Sequence, residues 1–230
     1  MSKQATVVLA HGAWADGSSW GKVIAGLAAQ GVKAVAAPLP LTTLADDVAA
    51  LDRSLERAGG PVVLAGHAYA GGVIGATRHS AVKALVYVAA LAPAEGETIA
   101  DVFYRNPPHP QAPQLAPDAN GLIWLPEEAF PAAFAQNASA GELAVLSALQ
   151  RPISPACITV PVPRPLWQDL PAWYLLARQD RMIVEQTQRF MAGRMNAEIR
   201  SHAVDHAPIV TAPGPVVDII RDAVQSVAAG

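Results

Sequence analysis

A single cysteine, Cys157, stands in the whole chain, so no internal disulfide can form, and a reducing cytoplasm suits it. Charge is also scarce, at 15% of residues with a formal net charge of -3. No basic run stands out, which argues against a nucleic-acid or anionic-membrane partner. No apolar run approaches the ~20 residues of a membrane span. The run that follows Met1-Ser-Lys-Gln, Thr6–Ala10, is too short for a signal-peptide core and lies where a first strand belongs. The histidines, His11, His67, His79, His109, His202 and His206, show no H-E-x-x-H or Cys/His ligand spacing, so no metal site is expected. Neither G-x-G-x-x-G nor a Walker lysine occurs around Gly66–Gly72, which excludes phosphate cradling there. No internal repeat is present.

Apolar residues are abundant, at 52% of a 230-residue chain, enough for a large core in one α/β domain with an inserted cap. One stretch organises the rest: Pro61-Val-Val-Leu-Ala-Gly66-His67-Ala68-Tyr69-Ala70-Gly71-Gly72. Val62–Ala65 reads as a buried strand, the small residues as a sharp turn, and Val73–Ala76 as a continuing helix. Strand, turn and helix in that order are the setting of a nucleophile elbow, G-x-S-x-G. Gly66 takes the first small-residue place, Ala70 the second, and Ala68 stands at the nucleophile position. Alanine has no group that can attack a carbonyl.

The stretch resembles the α/β-hydrolase superfamily, in which Gly-His-Ser-Tyr-Gly-Gly or a close variant is usual. Compact bacterial esterases, pyrethroid hydrolases among them, look most similar, with plant methylesterases and hydroxynitrile lyases alongside. The resemblance covers nearly the whole chain and is weakest from about residue 93 to 171. Ala68 departs from the pattern. Either a serine has been replaced or activity has been lost naturally. The rest of the machinery looks undamaged, and a lost enzyme decays in more than one place, which favours replacement. An epoxide hydrolase or dehalogenase of this fold would carry Asp at position 68.

Along the chain, Thr6–Ala10 reads as a strand and Ser18-Ser19-Trp20 as a helix start, with Trp20, Ile24 and Leu27 on one face and Gly31 as the stop. Val32–Ala37 is a second strand. Thr43 caps the next helix, with Asp46 in the place of a capping-box acid and Leu44, Val48, Leu51 and Leu55 as its apolar stripe. Asp46 and Asp47 suit its positive end. After the elbow, Val82–Ala90 is a strand. This alternation predicts a doubly wound, mostly parallel sheet with helices on both faces.

From Pro93 to Pro171 the rhythm stops, and the stretch holds 14 of the 20 prolines. Helical pieces are expected at Glu97–Arg105, Glu127–Ala135 and Ser139–Gln150. An insertion here is where hydrolases of this fold carry a cap, so 93–171 is assigned as cap, and 1–92 with 172–230 as core. The rhythm returns with a strand at Ala172–Ala177, a helix at Val184–Met195, a strand at Ala197–His202 and a helix at Pro215–Val227. Six parallel strands are expected.

A serine hydrolase needs a base, an orienting acid and an oxyanion hole. In this fold the order along the chain is Ser, Asp/Glu, His. Asp180 follows its strand within Gln179-Asp180-Arg181-Met182-Ile183, similar to the family's acid loop. His206, in Asp205-His206-Ala207-Pro208-Ile209, resembles the family's histidine turn. His202 is the competing base, placed on the strand itself, and Asp205 is set aside because neighbouring side chains in an extended loop point apart. His11-Gly12-Ala13 resembles the oxyanion turn, with main-chain N–H groups of Ala13 and Tyr69 as donors. Trp14, Tyr69, Tyr104, Trp124 and Trp167 are candidate linings of an apolar pocket. The resemblance implies hydrolysis of small, largely apolar carboxylic esters without a cofactor, with this chain nearly inactive. A hydroxynitrile-lyase-like enzyme and a non-catalytic binding protein are the rivals.

Overall fold

A computed structural model describes residues 5–229, so the Met1–Gln4 lead-in lies outside the described residues. Six strands form one sheet: β1 (Thr6–Ala10), β2 (Ala34–Ala37), β3 (Val62–His67), β4 (Val82–Val88), β5 (Ala172–Ala177) and β6 (Glu198–His202). Their spatial order is β2-β1-β3-β4-β5-β6, and every neighbouring pair is parallel. β1, β3 and β5 are buried along their whole length. Helices on both faces demand this, which is why these strands read as unbroken apolar runs rather than alternating ones. The outer strands differ. β2 starts two residues later than expected and is half-buried, and β6 carries exposed Glu198 and Arg200, charges that discourage pairing with another chain.

The helices are α1 (Gly21–Ala29), α2 (Leu44–Ala58), α3 (Ala70–Ala76), α4 (Ile99–Phe103), α5 (Ala140–Leu149), α6 (Glu185–Arg194), α7 (Pro208–Thr211) and α8 (Pro213–Ala229). α1 packs on α8, which crosses β3, β4 and β5; α2 packs on β1, β2 and α3. Thr43 caps α2 by accepting from the Asp46 amide at 3.0 Å. The capping box expected there does not close, because the Asp46 carboxylate accepts from the Thr42 hydroxyl at 2.8 Å. α8 starts two residues earlier than its apolar stripe suggests and runs two further.

Residues 93–171 join β4 to β5 and hold α4, α5, one π-helical turn at Phe130–Phe134 and two short 3-10 turns. α4 and α5 begin at capping boxes, Thr98 with Asp101 and Ser139 with Glu142. The middle piece stays a single wide turn where a longer helix was expected, and Pro131, which has no N–H to donate, sits at its start. This segment is fastened to the loops at the carboxyl ends of the strands. The Trp14 amide donates to Arg151 O at 3.1 Å, the Ser154 amide to Leu41 O at 3.0 Å, and the Asn137 amide to the Asp205 carboxylate at 2.9 Å. Trp14 and Leu41 both have positive φ, 58° and 61°, so two left-handed turns present their main chains to the segment.

The winding order of the strands reverses between β1 and β3, and ligands of open α/β sheets sit at such a point, beyond the strand ends. Here the start of α3 presses on the turn after β4. The Ala68 carbonyl accepts from the Gly71 amide at 3.2 Å and the Leu91 amide at 2.9 Å. A Cβ on Gly71 would lie 2.2 Å from the Leu91 carbonyl oxygen. Gly71→Ala is therefore expected to destabilise the fold by about 3 kcal/mol through overpacking. Urea unfolding checks this, and a loss under about 0.5 kcal/mol, the size of a neutral surface change, would contradict it.

Candidate active site

β3 delivers the chain into the elbow and α3 carries it away after only two residues. Ala68 takes the turn with φ 50°, a left-handed conformation that costs a residue with a Cβ about 1–2 kcal/mol. The neighbouring segments leave no room for larger residues. A Cβ on Gly66 would sit 3.0 Å from Ala70 O, and one on Gly12 would sit 3.0 Å from the Ala68 Cβ and 3.2 Å from His67 O. Glycine at position 12 thus lets the turn after β1 lie directly against the elbow.

Asp180 and His206 come together from the loops after β5 and β6. His206 Nδ1 pairs with Asp180 Oδ2 at 2.8 Å, and both side chains are buried. The carboxylate is firmly held. Oδ1 accepts from the Met182 and Ile183 amides, each at 2.8 Å, and Oδ2 accepts from Gln188 Nε2 at 2.9 Å. An acid so placed fixes the imidazole with its proton on Nδ1, leaving Nε2 as the free lone pair. The edge of the Phe134 ring packs on His206, centroids 5.1 Å apart. Asp205 turns the other way, towards the Asn137 and Ala207 amides and the Thr211 hydroxyl. His202 ends β6, half-buried, and its carbonyl accepts from the Arg178 amide.

Two further histidines lie beneath. His67 Nε2 donates to the His206 carbonyl at 2.6 Å, while its Nδ1 has no partner. Burial, helped by the nearby His206, pushes its pKa down to about 3. His11 Nδ1 donates to Gly12 O at 2.9 Å and its Nε2 accepts from the Leu39 amide at 3.2 Å. Burial lowers its pKa as well. Both rings are neutral struts under the turn after β1 and under His206.

The main-chain N–H groups of Ala13 and Tyr69 donate to no protein acceptor among the described residues. Tyr69 is pinned from its far end: its hydroxyl donates to Asp47 Oδ2 at 2.6 Å, and Asp47 Oδ1 accepts from the Leu41 amide at 2.7 Å. Cys157 Sγ lies 3.7 Å from the same carboxylate. Burial raises the pKa of Asp47, of Tyr69 and of Cys157, the last to about 12. As a helix-end acid Asp47 would be exposed; it is wholly buried and anchors the elbow tyrosine. A signal was present, since position 47 falls at i+3 from Leu44 and i−4 from Leu51, on the apolar stripe. Gln188, which clamps Asp180, left no such mark.

Ala13, Ala68, Tyr69 and His206 line one cleft. Its opposite wall comes from residues 93–171, including Ile99, Phe103, Ile123 and Ile158. Trp14 and Tyr104 also line it. Trp124 and Trp167, expected in the pocket, do not. Trp124 is half-exposed, with its indole N–H on Asp118. Trp167 packs over Gly75 and beside Arg194, donating to Pro93 O. In each case the indole found its polar partner outside the cleft. Among the described residues there is no group of three or more His, Cys, Asp or Glu that could hold a metal ion, and no helix long and apolar enough to cross a membrane.

A six-stranded parallel sheet thus carries, beside its switch point, a strained turn at Ala68 and a buried Asp–His pair. A model of the alpha/beta hydrolase family matches residues 7–219, and the chain belongs to that family. Solved structures with the same fold include a pyrethroid hydrolase from Sphingobium faniae JZ-2, with TM-score 0.83 and 21% identity over 98% of this chain and 99% of that one. Polyneuridine aldehyde esterase superposes with TM-score 0.81 and 18% identity, over 96% and 99% of the two chains. A methylesterase from Arabidopsis gives 0.79 and 17%, with the same coverage. No curated protein matches the sequence at a significant level.

Neutral burial of His67 has a consequence for stability. In the unfolded chain its pKa is the ordinary 6.5, so below that pH the unfolded state takes up a proton that the folded state refuses until about pH 3. Stability is therefore lost as pH falls through this window. At pH 5 the loss from His67 alone is about 2 kcal/mol relative to pH 7. Urea titrations at the two pH values should show it, and His67→Gln should remove that share of the pH dependence. An unchanged difference in the variant would mean that His67 is protonated in the fold.

Proposed function

We propose that the parent activity of this chain is hydrolysis of small, largely apolar carboxylic esters by a serine at position 68, and that Ala68 makes the present form inactive. The observation that carries this reading is one apolar cleft lined by Ala68, His206 and the Ala13 and Tyr69 positions, with Asp180 on the far nitrogen of His206. A serine at 68 would project from the same strained turn. His206 would take its proton, the hydroxyl oxygen would attack the ester carbonyl, and the Ala13 and Tyr69 amides would hold the developing oxyanion. His206 would then protonate the leaving alcohol and activate water against the acyl-enzyme. Asp180 keeps the imidazole in the right tautomer throughout. No step calls for a cofactor.

Residues 93–171 act in this reading as a cap that supplies the apolar wall, over a core of 1–92 and 172–230. The similar folds named above include enzymes called esterase, methylesterase and pyrethroid hydrolase, which agrees with an ester substrate. A hydroxynitrile-lyase-like reaction is less well supported, since it needs a cation or hydroxyl to settle the leaving anion. Among the described residues no Lys, Arg, Ser or Thr lines the cleft, and the Tyr69 hydroxyl is engaged by Asp47. A non-catalytic binding protein has only Ala68 in its favour. The lone, buried Cys157 accords with a cytoplasmic enzyme.

Ala68→Ser should create hydrolysis of short-chain aryl esters. Losing the equivalent serine in a serine hydrolase costs roughly a millionfold in turnover, so the contrast should be plain. In that background His206→Ala should abolish the activity and His202→Ala should retain most of it. Equal, slow hydrolysis by the serine and alanine forms would refute the triad; loss on His202→Ala alone would move the base.

The alanine form should still bind the ester, because the removed hydroxyl acts chiefly in the transition state. A structure at saturating ester should place the carbonyl oxygen at the Ala13 and Tyr69 amides. An empty cleft, or a carbonyl turned away from both amides, would count against the oxyanion assignment.

A further inference from the structure

Without a nucleophile, the cleft still holds a base facing an oxyanion site, and that pair suits chemistry at a carbon rather than at a carbonyl. We propose that the chain as it stands, with Ala68, catalyses enolisation of small apolar ketones, exchanging the proton on the carbon next to the carbonyl. The inference rests on the reading of His206 as base and of the Ala13 and Tyr69 amides as oxyanion donors.

The geometry favours it in three ways. In a serine form the hydroxyl occupies the lone pair of His206 Nε2. Here Ala68 offers no hydroxyl to that lone pair, and among the described residues Nε2 has no hydrogen-bond partner, while Nδ1 remains tied to Asp180 at 2.8 Å. A ketone with its oxygen at the two amides places its carbonyl carbon over that methyl, and the adjacent carbon lies one bond away, about 1.5 Å. The cleft lining is largely hydrocarbon, Phe103, Ile123 and Ile158 among it, so the amide bonds to an enolate oxygen are stronger than they would be in bulk water. The neighbouring His67 adds no positive charge, being held neutral by burial.

The step balances within the site. Nε2 takes the proton, the C–H pair becomes the enolate double bond, and the carbonyl π pair moves to the oxygen between the amides. Asp180 stabilises the imidazolium. The imidazolium exchanges its proton with solvent and returns a deuteron in D2O, regenerating the ketone. A ketone has no leaving group, so nothing else is consumed.

The test is proton NMR of phenylacetone in D2O at neutral pD with the purified chain. Its benzylic CH2 signal should decay at least about 100-fold faster than with His206→Ala, the low end of what a positioned general base supplies. His206→Gln is a second control should the alanine variant unfold. Exchange no faster than buffer, or equal exchange with either folded His206 variant, would overturn the proposal. Ala68→Ser from the same preparation, assayed on an aryl ester, separates the two readings. Ester hydrolysis there without ketone exchange in the alanine form overturns enolisation alone; absence of both overturns the shared assignment of base and oxyanion site.

Discussion

Close approach of backbone segments around Ala68 is the constraint on which the rest depends. The turn after β1, the end of β3, the start of α3 and the turn after β4 all meet there. Gly12, Gly66 and Gly71 mark the contacts, each within 3.0 Å or less of a neighbouring atom at the place a Cβ would occupy. Ala68 itself is held left-handed by bonds from the Gly71 and Leu91 amides to its carbonyl. Strain of this kind persists only where the surroundings over-determine it. It brings two main-chain amides and one side-chain position to the same cleft without any flexible group between them.

Buried carboxylates then fix the loops around that point. Asp180 joins the β5 loop to His206 and to Gln188 of α6. Asp47 joins α2 and the Leu41 turn to the elbow through the Tyr69 hydroxyl. Asp205 joins the β6 loop to residue 137 of the segment between β4 and β5. Each acid accepts at least three hydrogen bonds or close polar contacts, the condition under which an acid group is tolerated out of water. Beneath them His11 and His67 stay neutral and act as hydrogen-bonded spacers rather than charges. The polar groups are thus concentrated on the loops, and the cleft wall is left almost wholly apolar.

Residues 93–171 complete the wall without contributing a strand to the sheet. They reach the site by latching to left-handed turns at Trp14 and Leu41 and to Asp205. The same latches tie pocket shape to the loops that carry His206 and Ala13. A ligand there would touch the segment through Phe103 and Ile123 and the sheet through Ala68.

Much of the core was legible in the chain alone. Apolar runs such as Thr6–Ala10 and Ala172–Ala177 match their strands to the residue, because strands buried on both faces tolerate nothing else. Gly66 stood out because backbone sterics restrict the turn, and Asp180 and His206 because they follow strand ends in loops that resemble those of the family. What only the tertiary structure decided are relations between distant side chains. Nothing local in residues 93–171 distinguishes Tyr104, which lines the cleft, from Trp124 and Trp167, which do not; each indole went where an acceptor was in reach. Local sequence puts Asp47 on the apolar stripe of α2, but it does not reveal that Asp47 holds Tyr69 or that Gln188 clamps Asp180, since those partners lie on other elements. Local sterics are written residue by residue, whereas the pairing of buried polar groups exists only once the sheet has brought their elements together.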